Sequence, residues 1–526
     1  MKRFSLALAA LPVLFLVSLG QAQSDDVDLN KIVVTPSRIE QYSGDVARDV
    51  DVVTSKDIER SQATDVSEVI GKFTSVNIST YGGPGASKTV TMRGSTAAQV
   101  LVMVDGRPIN NPRDGQIDLN TIPLENISRI EIMHGPSSNL YGSQGMGGAI
   151  NIITKEPPKE KQKTEITSSF GTRRTYVERL THGARIANFG YLISGDYESS
   201  EGFRPNSQFN AKDFNTKFEY KLNSSNNIKL NSGFYKSKLG TPGPVISFDP
   251  DDKLGTIKNF LSFNWDFKQF NITQKLKMGL SARVDSYSNF GAQLNPSFNV
   301  LYKFNDDNNV HCVISRSFRA PTFNDLYYPA TSMGKGNPNL KPERGATAEI
   351  GFETKPFKFL SSGITYYRSN YSQLIKWASD AANVPPTPQN ISKAVIHGIE
   401  FSNAVYLPYN FEFDTGYTYL RAMDDKTHKF LTYQPQHKVD FGLKYKGSNG
   451  FQAGITGQFT GLRYDNVTNT IKVKQFFVFG MNLSKKFKNG ITYLFSIDNF
   501  TNRNYQVIRS YPMPGLAVTS SLKYEF

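Results

Sequence analysis

Few side chains in this sequence are placed to do covalent chemistry. Six histidines, His134, His182, His311, His397, His428 and His437, are scattered along 526 residues. None stands at HExxH spacing, and no Ser and Asp gather beside one as a nucleophile motif requires, which excludes a zinc or serine hydrolase. GGPGASKT has the glycines, Lys88 and Thr89 of a phosphate-binding loop. Such a loop needs Gly immediately before the Lys so that the backbone can wrap the phosphates. Ser87 stands there, and no helix pattern follows. Asp249, Asp251 and Asp252 in FDPDD read as a solvated loop cluster, not a metal site. The single Cys312 excludes an intramolecular disulfide framework. The chain reads as a non-enzyme with no cofactor, so its informative side chains are those that bind or fasten.

The elements that position them fall into two textures. Val90 to Lys155 is a Gly-rich block with tight turns at Arg93-Gly94, Asp105-Gly106 and Gly145 to Gly148, and with apolar runs Val100–Val104 and Ile150–Ile153 that read as buried strands. Ahead of it, Val50–Val53 reads as a strand, and a short helix begins at Thr54 to Ile58 with Thr54 or Ser55 as its cap. Ala63–Ile70 reads as a second helix ended by Gly71. A polar leader, Gln23 to Gln41, contains NKIVVTPSRIEQ; its β-prone Ile32-Val33-Val34 suits either pairing with the edge of a partner sheet or an ordinary first strand.

From about Lys163 to Phe526 the sequence alternates polar and apolar residues with period two. Phe411, Phe413, Tyr417 and Tyr419 share one face, as do Val439, Phe441, Leu443 and Tyr445, and Val518, Leu522, Tyr524 and Phe526. Aromatics are 12% and hydrophobic residues 38%, with no interior apolar run long enough for a helical membrane span. That balance suits a barrel with lipid outside and water inside. Lys2-Arg3, the apolar Phe4 to Leu19 and the small residues around Ala22 form a secretory signal peptide, residues 1–22. The net charge of +14, with no basic-aromatic motif, points to anionic head groups or ligand capture and not to nucleic acid.

IVVTPSRIEQ, SVNISTYGGPGASKTVTMRGSTAAQVLVMVDGRPIN, GPSSNLYGSQGMGGAINIITK, SFRAPTFNDLYY, GNPNLKPERG and the terminal Phe526 together resemble the TonB-dependent outer-membrane receptors over the whole mature length, with the plug most similar to that of the cobalamin receptors. The resemblance implies an all-β transmembrane antiparallel barrel with an N-terminal α+β plug in its lumen: a leader with a TonB box at 23–42, a plug at 43–157 and a barrel at 162–526. It implies that Asn30, Lys31, Ile32, Val33 and Val34 couple to the TonB protein of the inner membrane, and that Arg93 fastens the plug to Glu349 and Glu400. The family often carries Arg where this chain has His134. It places ligand contacts on Ser87, Thr89, Thr96, Asp114 and Gly115, and partners in outer-membrane lipid, lipopolysaccharide and a small metal chelate, cobalamin or a ferric siderophore, taken up by a monomer.

The family pattern implies 22 strands, yet only about 365 residues remain for the barrel. NITQKLKMGLSARVDSYSNF contains no turn signal except Gly279, as if an early strand were spliced to a later one. The expectation is about 18 strands, an even number, with one long strand from about Phe270 to Asn289; the alternative is 22 short strands with minimal loops. Uptake of a scarce chelate is the expected function, and a binding or adhesion barrel with impaired transport is the alternative that a narrower lumen raises.

Overall fold

The computed structural model describes residues 46–526 apart from 62, 64, 74, 84, 125, 160–161, 224–225, 268–274, 332–333 and 379–384, together with the backbone of Ile32–Val33 and Gln41–Tyr42. Among the described residues, 18 antiparallel strands form one closed barrel, from Gln162–Gly171 to Ala517–Glu525. The first and last strands pair over Glu165↔Glu525 to Gly171↔Thr519, so no edge is left open.

Alternation decides which way each side chain points. In Glu343–Phe357, residues Glu343, Gly345, Thr347 and Glu349 are buried toward the lumen, while Arg344, Ala346, Ala348 and Ile350 are exposed on the outer face. The apolar faces read from Phe411–Tyr419 and Val439–Tyr445 lie on that outer face. Connections alternate in length. Those at one end are short, such as 187–188, 306–307 and 358–359; those at the other are long, such as 241–252, 320–342 and 499–516. Ring pairs ring the short-turn end: Tyr302–Phe304, Phe411–Tyr445 and Tyr524–Phe526 each lie at 5.0 Å, and Phe357–Phe359 at 5.2 Å. Aromatic girdles of this kind flank the apolar band of membrane barrels.

The expected single strand from Phe270 to Asn289 is corrected. The preceding strand ends at Phe267, Lys275 sits in a bend, and the strand itself is Leu276–Tyr287 with 12 residues; Phe270 to Gln274 lie outside the described residues. About ten tilted residues already cross a bilayer, so nothing requires a longer strand. Its alternation continues through Lys277–Ser281 without a hairpin, with Met278 and Leu280 on the outer face.

Inside the barrel sits the smaller domain. Its mixed five-stranded sheet has the order Val50–Thr54, Ile127–His134, Gly148–Thr154, Val100–Val104, Arg107–Pro108. The two apolar runs of the Gly-rich block pair in parallel, Val100↔Gly148 to Val104↔Ile152. Val66, Ile70, Val76, Val100, Ile130 and Ile150 fill one core between this sheet and the helices Ser55–Ser61 and Val66–Ile70. Thr54 caps the first helix, accepting from the Asp57 backbone N–H at 3.2 Å, and Asp65 caps the second, accepting from Glu68 N at 3.1 Å. At Gly148 an added Cβ would lie 2.7 Å from the Met133 carbonyl and 2.9 Å from the Met92 sulfur, so only Gly lets the two strands approach.

Leu280 is 83% exposed on the outer face. Leu280→Arg should lower stability in phospholipid vesicles by about 2 kcal/mol, the cost of a charge on the lipid side of a barrel. A reversible denaturant titration checks this; an unchanged midpoint would mean that the face does not meet lipid.

Candidate functional site

The turn at Arg93-Gly94 is where the inner domain grips the wall. Strand Lys88–Met92 ends there, Ser95 N donates back to Met92 O at 2.9 Å, and both central residues have positive φ, 47° and 77°. A non-Gly residue held so carries strain of roughly 1–3 kcal/mol. Gly94 is required by space as well: a Cβ there would meet Ile396 Cδ1 at 2.9 Å and Ala422 Cβ at 3.1 Å on the barrel wall. The strained turn aims the buried Arg93 guanidinium outward. Nε donates to Glu400 Oε1 and Oε2 at 3.0 and 3.1 Å, Nη2 to Glu400 Oε2 at 2.5 Å and to Asp49 Oδ2 at 3.0 Å, and Nη1 to Glu349 Oε2. The guanidinium carbon lies 4.3 Å from the centre of the Tyr367 ring, which is fully buried. Gly398 on the neighbouring strand leaves room for that ring, since a Cβ would stand 2.2 Å from it.

The structure thus brings Arg93, Glu349 and Glu400 together, and adds partners that the sequence reading missed. Asp49 precedes the edge strand of the inner sheet. His311 Nε2 meets the second Glu349 oxygen at 3.2 Å. Arg48, also buried, donates to Pro136 O, to Asn139 Oδ1 at 3.3 Å and to Ser297 Oγ at 3.0 Å. His134 bonds Asp51 Oδ2 through Nε2 at 2.9 Å. Burial alone would lower the His134 pKa; the nearby Asp49, the hydrogen bond to Asp51 and the Asp51 and Glu400 charges outweigh it and raise it to about 9. Burial is the largest influence on Asp49 and pushes its carboxyl up to about 6 despite His134 and Arg93.

A second contact lies on the strand His437–Lys446. Lys438 points into the lumen and its ammonium donates to three carbonyls of the inner domain, Gly71 O at 2.9 Å and Phe73 O and Val76 O at 2.8 Å. Gln458 Nε2 reaches the same Gly71 O at 2.9 Å. These carbonyls follow the helix Val66–Ile70, where a cation is favoured by the unsatisfied C-terminal groups. The period-two pattern of KVDFGLKYK already put Lys438 and Asp440 on the face opposite Val439 and Phe441, which is the signal that could have found it.

The predicted ligand residues divide into two groups at the long-loop end. Thr96 is exposed at the start of the 3-10 turn Ala97–Gln99, and Gly115, with φ 76°, packs against Ala98, so these two loops adjoin. Asp114 beside it is half-buried and accepts from Gln116 N at 3.0 Å. A loop helix of the barrel, Phe323–Tyr327, covers this side: Phe323 N and Asn324 N donate to Pro112 O and Arg113 O at 3.3 and 2.9 Å. Ser87 and Thr89 are half-buried elsewhere, on the hairpin Val76–Thr80/Lys88–Met92. Its tip packs on Phe203, Phe209 and Pro514, and Tyr81 meets Tyr511 edge-on at 5.1 Å. The buried Lys88 is committed to an ion pair with Asp65, and Asp249 accepts from the N–H groups of Asp251 and Asp252 at 3.0 and 2.9 Å. Of the leader, Ile32 and Val33 pair with Tyr42 and Gln41; Asn30, Lys31 and Val34 lie outside the described residues, as does the signal peptide.

A lipid-facing barrel, closed by a folded domain that is fastened through buried charges, defines a gated outer-membrane receptor and not an open pore. Residues 144–500 match the family described as TonB dependent receptor-like, beta-barrel, and residues 43–149 match the TonB-dependent Receptor Plug Domain. The chain belongs to the TonB-dependent receptors. It is 26% identical over 617 aligned positions to the Vitamin B12 transporter BtuB of Photobacterium profundum, covering 100% of both chains, and 25% identical to that of Vibrio cholerae over 99% of each. Since the first alignment is longer than the 526 residues present here, stretches of that relative have no counterpart in this chain. In fold it resembles the unliganded ferric citrate transporter FecA, with a TM-score of 0.76 at 15% identity over 92% of this chain and 97% of that one. The siderophore receptor PirA from Acinetobacter baumannii gives 0.74 at 18% identity, covering 91% and 98%.

Two outcomes test the geometry. Arg93→Ala leaves three carboxylates facing one another without their cation, a loss of about 3–5 kcal/mol for a broken buried pair; limited proteolysis should then cut the inner domain in the folded barrel. His134 has its pKa raised on folding, so its contribution, on the order of 3 kcal/mol for a shift from about 6.5 to about 9, is fully present below about pH 6.5 and lost as pH rises through about 9. Asp49 is already ionised through the upper part of that window. Protease resistance of the inner domain should therefore fall between pH 7 and 10, and His134→Gln should flatten that fall.

Proposed function

We propose that this receptor takes up a scarce metal chelate, a corrinoid or a ferric siderophore, across the outer membrane, drawing work from the TonB protein. The observation that carries the reading is that the fastening includes a residue on the leader side of the plug. Asp49, 15 residues after Val34 in sequence, is itself a partner of Arg93. A pull on the leader removes Asp49 first and weakens the grip on Glu349 and Glu400 while the plug core stays folded. The box suits β-strand addition to a partner sheet, in which main-chain hydrogen bonds load together. Thr96, Asp114 and Gly115 offer one apex to the ligand at the loop end, and the Ser87–Thr89 hairpin the other. The relatives named as vitamin B12 transporters support a corrinoid; the folds shared with siderophore receptors keep a ferric chelate in view.

The 18-stranded barrel favours a second reading, a binding or adhesion barrel whose plug stays in place. A deletion separates the two. Removing Asn30–Val34 should abolish growth on cobalamin or a ferric chelate supplied as the limiting nutrient while binding of that chelate to cells persists. Unchanged growth would exclude TonB-coupled uptake.

A further inference from the structure

Each wall carboxylate of the fastening has a ring standing over a glycine of its own strand. His311 is directly opposite Gly351, two residues beyond Glu349, and a Cβ there would lie 2.3 Å from His311 Cε1. Tyr367 is directly opposite Gly398, two residues before Glu400, and a Cβ there would lie 2.2 Å from Tyr367 Oη. Both rings are buried, and the two glycines make room for them. They differ in what they hold. His311 Nε2 lies 3.2 Å from Glu349 Oε1, the oxygen that Arg93 leaves free. Tyr367 Oη finds no hydrogen-bond partner among the described residues. Nor does the buried Thr418 Oγ1, whose residue is directly opposite Glu400. Glu400 therefore stands between two idle hydroxyls, Tyr367 on the strand Leu360–Ala378 and Thr418 on the strand Phe411–Asp424. Both residues line one cavity of about 10 Å³ together with Arg93 and Lys438, at the lower limit of what a single water needs.

A buried hydroxyl left unpaired is costly, and two beside one carboxylate call for a physical reason. With the plug seated they have nothing to do, because both Glu400 oxygens accept from Arg93. Once Arg93 leaves, Glu400 is a buried charge without its cation, which is the expensive case. We propose that Tyr367, helped by Thr418, is the standby partner of Glu400: the hydroxyls donate to its carboxylate when Arg93 withdraws, as His311 already serves Glu349, and release it when the plug reseats. Diagonal neighbours on adjacent strands are within reach of an aromatic side chain, so Glu400 has only to turn about its own side-chain bonds to lie over Gly398. Tyr367 is thus a positioning residue of the release step. It keeps the vacated wall satisfied and so lowers the cost of withdrawing the plug. The role presupposes the plug displacement proposed above, since Glu400 needs a second partner only when Arg93 leaves.

A mutant cycle on the full chain in detergent, read as the unfolding equilibrium constant of the barrel in a denaturant titration, tests it. Tyr367→Phe keeps the ring beneath Arg93 and removes only the hydroxyl. Alone it should change the constant by less than about three-fold, because the hydroxyl it removes is unpaired. Added to Arg93→Ala it should raise the constant at least about ten-fold, the worth of a hydrogen bond to a charged group. With Glu400→Met as a third change, which removes the acceptor, the effect of Tyr367→Phe should return to less than about three-fold. Arg93→Lys, whose single ammonium lacks the fork that holds both wall carboxylates, replaces Arg93→Ala where the latter does not fold, with the same direction expected. An equal effect of Tyr367→Phe with and without Arg93 overturns the proposal, whether small, as for a hydroxyl that never finds a partner, or large, as for one held by a bound water. The cycle needs no TonB protein and no chelate. Its failure leaves uptake untouched, and unchanged growth after deletion of Asn30–Val34 would leave the cycle readable.

Discussion

The molecule depends on one buried cation that belongs to two domains at once. Arg93 leaves the plug on a strained turn and finds Glu400 and Glu349 on the wall, Asp49 on the plug's own N-terminal approach and the face of Tyr367 beneath it. A guanidinium taken out of water is stable only when its donors are satisfied, and here they are satisfied only if plug and barrel are in register. An apolar contact of the same area would hold the plug without specifying its position. The charged contact specifies it, and can also be undone by withdrawing a single partner.

The rest of the lumen follows the same rule. The inward faces of the strands are largely polar, so the plug is seated chiefly by hydrogen bonds from side chains, beside one apolar contact where Met146 packs among Tyr371, Leu374, Ile396 and Leu420 of the wall. Lys438 and Gln458 on the carbonyls after the second helix, Asn139 on Ser281 and Lys258 on Thr121 are spread around the barrel. The plug keeps most of its apolar residues in its own core around Val66, Ile130 and Ile150. It is a folded domain suspended in a polar sleeve, which is why it can be held at points and still be a separable body. A narrower barrel changes how many such points are within reach, not the kind of contact they make.

Much of this was legible in the sequence because the two periods involved are strong. Alternation in Phe411–Tyr419 and Val439–Tyr445 told which side chains meet lipid, and the length left for the barrel, with the uninterrupted run across Gly279, told that strands were missing. The helices of the plug announced themselves through Thr54 and Gly71, but the second begins at Val66 and not at Ala63, because the Asp65 side chain caps it there. What sequence could not show is who meets whom across the lumen. Arg48 and Asp49 look like ordinary charges before a strand, and only the docking of that strand's N-terminus beside Arg93 makes them part of the fastening. The expected ligand loops stand at the long-loop end, yet nothing in their composition says that the helix Phe323–Tyr327 lies over one and that Phe203 and Phe209 pack under the other. The strand that begins at Leu276 and not at Phe270 has a related reason: the absence of a turn signal does not imply continuity, since Lys275 bends the chain with no Gly or Pro to mark it.

The place of Asp49 gives the fold a direction. Val50–Thr54 is the edge strand of the plug sheet, paired among the described residues only with Ile127–His134. Asp49 and Asp51 flank its first residue, and they face Arg93 and His134, one from each of the elements that the sheet holds against the wall. In the proposed coupling, tension arriving from the leader acts on this edge before any interior strand. It separates two carboxylates from two cations in one movement, while the parallel pair Val100–Val104 and Gly148–Thr154 keeps the core closed. The second of these pairs rests on a proton, so alkaline conditions loosen the same edge on which the proposed pull acts.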